Sequence, residues 1–165
     1  MRIGATGHQR LPHPATWEWV RAEIEQTLEE VPRPLVGLSS LAVGADQVFA
    51  ECVIRRGGSL EVIIPFADYD GRFAPGSDRN NYLRLLHQST RTVVLPGAGS
   101  DEESYYAAGK LIVDFSEILI AVWDGKPAKG LGGTGDIAQY ALKTGKPVYH
   151  INPATRHVGL SAEDR

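Results

Sequence analysis

Short β-type runs and amphipathic helical runs take turns along this chain, and that alternation predicts an α/β fold built on a mainly parallel sheet. Arg2 to Ala5 reads as the first strand. From Pro14 to Val31, the residues Trp17, Val20, Ile24, Leu28 and Val31 recur at helical spacing, and Pro32 and Pro34 end the helix they predict. Leu35 to Leu38 is a second strand. Ala45 to Arg56 is a second helix, turning Val48, Phe49, Cys52 and Val53 inward and stopping at Gly57-Gly58. Leu60 to Ile64 makes a third strand and Pro65 to Ser77 a polar loop, after which Asp78 caps a short helix carrying Tyr82, Leu85 and Leu86. Thr92 to Leu95 is a fourth strand. Ser100 and Glu103 have capping-box spacing for a helix that runs to about Phe115. Ile118 to Trp123, the most apolar run, is expected to be a central strand buried on both faces. A helix from Thr134 to Thr144 closes on Gly145, and Pro147 to Ile151 supplies a last strand with its proline at the first position. The expected organisation is one three-layer domain over residues 1–152, with residues 153–165 as a loose tail.

Composition narrows the class without naming an activity. Hydrophobic residues make up 42% of the 165 and charged residues 22%, proportions that exclude a disordered or fibrous chain. There are 17 basic and 20 acidic residues, a net charge of −3, so no general positive field draws in nucleic acid, and a nucleic-acid partner is not expected. The single cysteine, Cys52, falls on the apolar side of a helix and reads as a core residue. Ile118 to Trp123 is too short to span a bilayer, and the N-terminus has no charged-then-apolar leader, so a cytoplasmic protein without a membrane partner is expected. No His/Cys/Asp spacing suits a metal centre, and no internal repeat divides the chain.

In open parallel sheets ligands bind beyond the carboxyl ends of the strands, where strand order reverses, and four loops meet that description. The richest follows the fifth strand. It holds Gly125, Gly130, Gly132, Gly133 and Gly135 within eleven residues and runs directly into a helix, an arrangement that aims backbone N–H groups and a positive helix end at one spot. Gly132, Gly133, Thr134 and Gly135 are therefore candidates for holding phosphate, with Asp124 at the strand end and Asp136 in the first helical turn. The loop after the first strand offers Gly4, Thr6 and Gly7 for close approach to a phosphate or ribose, then His8 and Arg10, whose planar guanidinium suits phosphate oxygens. After the second strand, Ser39 and Ser40 precede Gly44 and Asp46, a second turn suited to an anion; Asp46 serves equally as a helix-dipole partner or a ribose contact. The third loop carries Tyr69, Asp70, Arg72 and Phe73, a mixture found in lids and also in loops packed on their own aromatics. The glycine pattern is neither the Gly-Lys-Ser/Thr phosphate loop nor the dinucleotide fingerprint that follows a first strand, so classical ATPase and dehydrogenase readings fall.

Gly4-Ala-Thr-Gly7, Ser39-Ser-Leu-Ala-Val-Gly-Ala-Asp46 and Gly132-Gly-Thr-Gly-Asp136 together resemble the SLOG superfamily, a Rossmann-like group that includes the LOG phosphoribohydrolases and the DprA/Smf proteins. The resemblance covers nearly the whole chain. It resembles most a bacterial branch in which Asp-Tyr-Asp-Gly-Arg-Phe, Tyr82-Leu-Arg-Leu-Leu86, Tyr106-Ala-Ala-Gly-Lys110 and Ala121-Val-Trp-Asp-Gly-Lys-Pro-Ala-Lys-Gly130 recur, often alongside signalling or defence domains. The resemblance implies a Rossmann-like three-layer α/β sandwich, a nucleotide or nucleotide-derived ligand, no required cofactor, a homo-oligomer, and a signalling or defence effector as partner. Enzymatic LOG members carry Gly-Gly-x-Gly-Thr-x-x-Glu, and the matching segment here puts Asp136 where the threonine stands and Gln139 where the catalytic glutamate stands. An amide cannot act as a carboxylate base, so a ligand-binding domain or sensor without LOG-type hydrolysis is the expected function. The alternative is an N-glycosidase, phosphoribohydrolase or deoxyribosyltransferase-like enzyme using Asp136 as its carboxylate. Under the first reading, phosphate rests on Thr6, Gly7 and the Gly132 to Gly135 amides, Ser40 and Asp46 hold a ribose or a second phosphate, and the Tyr69 to Phe73 loop covers the base.

Overall fold

The computed structural model describes residues 1–162. Seven strands form one sheet: β1 (Arg2–Gly7), β2 (Val36–Ser39), β3 (Ser59–Ile64), β4 (Arg91–Val94), β5 (Ile118–Val122), β6 (Val148–Asn152) and β7 (His157–Ser161). Between them lie the helices α1 (Thr16–Glu29), α2 (Ala45–Arg55), α3 (Ser77–His87), α4 (Asp101–Asp114) and α5 (Thr134–Lys143), with a 3₁₀ turn at Tyr69–Arg72. Strand order is β4-β3-β2-β1-β5-β6-β7, parallel throughout except for the final antiparallel pair. None of these helices is long and apolar enough to cross a membrane.

β5 shows why an unbroken apolar run belongs inside such a sheet. Its Ile120 and Val122 join Val20, Ile24 and Leu28 of α1 and Phe49 and Val53 of α2 on one face. Leu119 and Ala121 point the other way, onto Val113 of α4 and Ile137, Ala138 and Ala141 of α5. Side chains alternate across a strand, so a strand covered by helices on both faces must be apolar at every position. The helices follow the same division, with α1, α2 and α3 packed side by side on one face and α4 with α5 on the other. The mainly parallel α/β sheet expected from the pattern, and the Rossmann-like three-layer sandwich implied by the resemblance, are thus the observed architecture.

Two expectations about extent change. β1 continues two residues past Ala5, because Thr6 and Gly7 stay in register with Ala121 and Val122. The stretch beyond Asn152, expected to be loose, instead turns back and pairs with β6 from Asn152–His157 to Val148–Ser161. That pairing covers the open edge of β6 and satisfies its backbone groups. Residues 163–165, the rest of the expected tail, lie outside the described residues.

Candidate functional site

The chain builds β1 to β4 outward on one side of β1 and then crosses to place β5 on the other side. The reversal of direction opens a crevice between the carboxyl ends of β1 and β5. A cavity of about 1010 Å³ occupies it, walled by the loops after β1, β2, β3 and β5 and by one side of α4.

The β1–α1 loop is fastened to both neighbours. His8 donates its backbone N–H to the Val122 carbonyl at 3.0 Å, and the Ala45 N–H donates to the His8 carbonyl at 3.1 Å. Gly44 makes the second contact possible: its φ of +89° favours glycine, and a Cβ there would lie 2.5 Å from the carbonyl oxygens of both His8 and Gln9. The imidazole reaches across the crevice, where His8 Nε2 accepts the Asp124 N–H at 3.1 Å and lies 3.3 Å from Asp124 Oδ1. Burial works to raise the Asp124 carboxyl, but the Lys126 N–H and His8 outweigh it and hold the group below its usual range.

The β5–α5 loop is folded upon itself. Trp123 Nε1 donates to the Lys126 carbonyl at 2.7 Å, and Asp136 Oδ2 accepts the Gly132 N–H at 3.1 Å. Gly132, with a φ of +82°, lies against the Tyr106 backbone of α4, while Gly135 presses on Ala128, the Lys126 carbonyl and the Trp123 ring. Much of the glycine content therefore serves internal close packing as well as any approach to a ligand. The N–H groups of Thr134 and Gly135, in the first turn of α5, have no acceptor among the described residues.

At the β2–α2 wall lies the one deeply buried carboxylate of the cavity. Asp46 is 7% exposed, and burial pushes its carboxyl up to about 7 against the Ser39 hydroxyl and the Ala42 and Ser40 N–H groups, which favour the charged form. Above the β3 end, the Tyr69 to Phe73 loop follows the second of the two readings its residues allowed, a loop packed on its own aromatics rather than a lid. Phe73 stacks on Tyr82 with ring centroids 4.4 Å apart, and both loop aromatics are buried. Arg72 clamps the turn to α4 through Asp101, at 2.6 and 3.1 Å, with its guanidinium 4.9 Å from the centre of the Phe66 ring.

The cavity wall thus gathers Thr6, Gly7, His8, Arg10, Ser40, Asp46, Phe73, Asp124, Gly132, Gly133, Thr134 and Gly135 from the sequence-predicted set. Gly4, Ser39, Gly44, Asp70 and Asp136 stand outside it. Gly4 lies within β1, where a Cβ would meet Ser116 and Ile112. Ser39 accepts the Leu41 N–H at 3.0 Å and supports Asp46, and Asp70 pairs with Arg79 at 3.0 Å. The Asp136 carboxylate is held by its own loop, and Gln139 is exposed on α5. Arg10 lines the cavity but pairs with Asp78 at 2.7 Å, an exposed contact that a stronger anion can displace.

Sequence reasoning passed over Lys126, Lys129 and His13, which also line the cavity. With Arg10 and Arg72, the wall carries four Arg or Lys side chains against Asp46 and Asp124, although the chain as a whole is at −3. The available signal was two lysines inside the glycine-rich stretch.

Neither a protein-family model nor a curated protein matches the chain. Solved structures do. DNA processing protein A from Helicobacter pylori, described with a single-stranded DNA binding mode, matches at a TM-score of 0.65 and 17% identity over 91% of this chain and 64% of that one. DNA processing protein A (DprA) from Streptococcus pneumoniae matches at 0.63 and 16% identity, over 90% of this chain and 49% of its own. The structural-genomics target TM1055 matches at 0.56 and 13% identity, over 89% and 71%. This chain therefore spans less than two thirds of the two DNA processing proteins, and what it shares with all three structures is the fold. These matches overturn the expectation that nucleic acid is an unsuitable partner, since a protein of this fold is described as binding single-stranded DNA. The physical reason is that net charge averages over the whole surface, whereas a ligand meets the local, basic wall.

Proposed function

We propose that the cavity binds a nucleotide or nucleotide-derived ligand and that the chain acts as a ligand-binding domain rather than a LOG-type hydrolase. One observation carries the reading: the cavity lies in the β1–β5 crevice, flanked by the unpaired Thr134 and Gly135 N–H groups and by Lys126 and Lys129. Oriented N–H groups beside cations suit phosphate oxygens. Against hydrolysis speak the Asp136 carboxylate, engaged by Gly132, and the exposed amide Gln139.

Thermal-shift measurements against mononucleotides, dinucleotides, cyclic nucleotides and ADP-ribose derivatives test the binding. A ligand at a hundred times its dissociation constant adds about 2.7 kcal/mol of stability, well within reach of the method. No shift with any of them refutes the proposal, and release of free base from nucleoside 5′-monophosphates, lost in Asp136→Asn, establishes the hydrolase instead. A second reading, single-stranded DNA as ligand, is favoured by the basic wall and by the fold shared with the Helicobacter pylori protein. Binding of a short oligodeoxynucleotide that weakens steeply with salt supports it over a free nucleotide.

A further inference from the structure

Tyr69 is the hub of an aromatic cluster above the carboxyl end of β3. Its ring meets those of Phe66, Phe73, Tyr82 and Tyr105 edge-to-face, with centroids 5.2 to 6.2 Å away and interplanar angles of 64° to 88°. Held on four sides and only 5% exposed, the ring has one orientation and no free face on which another ring could stack. The hydroxyl is placed differently. The hydrogen bonds of its turn are made by Asp70 and Arg72, and the Tyr69 hydroxyl has no partner among the described residues, although a buried tyrosine hydroxyl usually finds one. It is not sealed in, because the one fully buried side-chain N or O atom without a partner among the described residues is Arg21 Nη1. Tyr69 lines the cavity, so the little of it that remains exposed includes the hydroxyl and opens there. Burial pushes this hydroxyl well above its usual range, so it stays neutral.

We propose that Tyr69 reads the base of the ligand: its hydroxyl makes a hydrogen bond to the edge of a nucleobase, and its enclosed ring serves to aim that hydroxyl. The proposal rests on the nucleotide reading. It differs from a loop that covers the base, since covering needs a free ring face and edge recognition needs only the hydroxyl. The wall formed by the loops after β2 and β3 suits such a group. Ala42, Val43, Pro65 and Phe73 contribute apolar surface to it. The cavity's arginines are paired in the unliganded chain, Arg72 with Asp101 at 2.6 and 3.1 Å and Arg10 with Asp78 at 2.7 Å. A nucleobase is apolar on its faces and hydrogen-bonding along its edge, whereas a phosphate calls for free cations or several N–H donors. Bases differ in where their edge donors and acceptors lie, so a hydroxyl fixed in one place favours some of them over others.

Tyr69→Phe removes the hydroxyl and keeps every ring contact, so the urea midpoint of the unliganded chain is expected to hold. The probes are AMP, GMP, CMP and UMP, titrated calorimetrically into wild type and variant, with ribose 5-phosphate as the probe that lacks a base. The tightest of the four is expected to bind the variant about 3- to 10-fold more weakly, the worth of a neutral hydrogen bond, and the differences among the four to narrow. Ribose 5-phosphate is expected to treat the two proteins alike. An unchanged affinity for the tightest monophosphate, or a loss of one size shared by all four or by ribose 5-phosphate, overturns the role of Tyr69 while leaving a nucleotide site standing. No binding of any of the four to the wild type overturns both readings. Amide NMR on the wild-type chain decides even if the variant does not fold: the tightest monophosphate is expected to move the Tyr69 to Phe73 amides and ribose 5-phosphate to leave them in place, and equal movement with both probes, or none with either, overturns the proposal.

Discussion

Replacing Asp46 by asparagine is expected to stabilise the unliganded chain above neutral pH. The carboxyl is buried and its folded-state pKa is about 7, against an ordinary 3.8. Below pH 3.8 both the folded and unfolded states hold the proton, and the group imposes no penalty. Between 3.8 and about 7 the unfolded chain ionises while the folded one does not, so stability falls as pH rises, by about 1.4 kcal/mol per pH unit. Above 7 both states are ionised and the full penalty is present. A shift of about three units amounts to about 4 kcal/mol, an upper bound set by how far the surroundings relax around the charge. Asparagine mimics the protonated acid in shape and stays neutral, so the variant should match wild type near pH 4 and gain on it steadily to a plateau above pH 7.5. Urea denaturation at half-unit pH steps, followed by circular dichroism, reads the difference directly. A difference between the two proteins that does not vary with pH would refute the buried-charge account, and a variant less stable by a constant amount would mark Asp46 as a plain hydrogen-bond acceptor for its loop.

Gly44→Ala and Gly57→Ala separate close packing from backbone conformation. Both glycines have positive φ, 89° and 72°, but a Cβ at Gly57 meets nothing within 4 Å whereas one at Gly44 strikes two carbonyl oxygens. Gly57→Ala should cost about 1 kcal/mol and Gly44→Ala at least twice that by urea denaturation, so equal losses count against the role given to Gly44. His8→Ala removes the side-chain contact between the β1–α1 and β5–α5 loops; the partly exposed pair contributes under about 1 kcal/mol, so the unliganded melting point should barely move while the nucleotide-induced thermal shift falls by half or more. Ser100→Ala deletes the hydroxyl that accepts the Glu103 N–H at the start of α4 and should lower stability by about 1 kcal/mol, with an unchanged urea midpoint as the contrary result.

The elements that share the core were legible because each carries its own periodic signal. β5 needs apolar side chains on both faces, and Ile118 to Val122 supplies them without interruption. β7 was not legible: only one of its sides is paired, most of His157–Ser161 is partly or fully exposed, and Gly159 breaks an already weak alternation. At the site, the loops could be placed from the strand ends, but the purpose of their residues depends on partners distant in sequence. Gly132 yields to Tyr106 of α4, and Phe73 finds Tyr82 rather than solvent. Lys126 and Lys129 were visible as residues and passed over because a net charge of −3 was taken to describe every part of the surface.

The self-packed β5–α5 loop has a consequence for the energetics of recognition. Fixing a backbone residue costs roughly 1–2 kcal/mol of conformational entropy, and here the Asp136, Trp123 and Gly132 contacts set the loop's shape when the chain folds. A ligand arriving later finds its donors already aimed, so little of its interaction energy is spent on ordering. Loop stability and affinity thereby become one quantity: a substitution that loosens the loop weakens recognition well before the sheet beneath it unfolds.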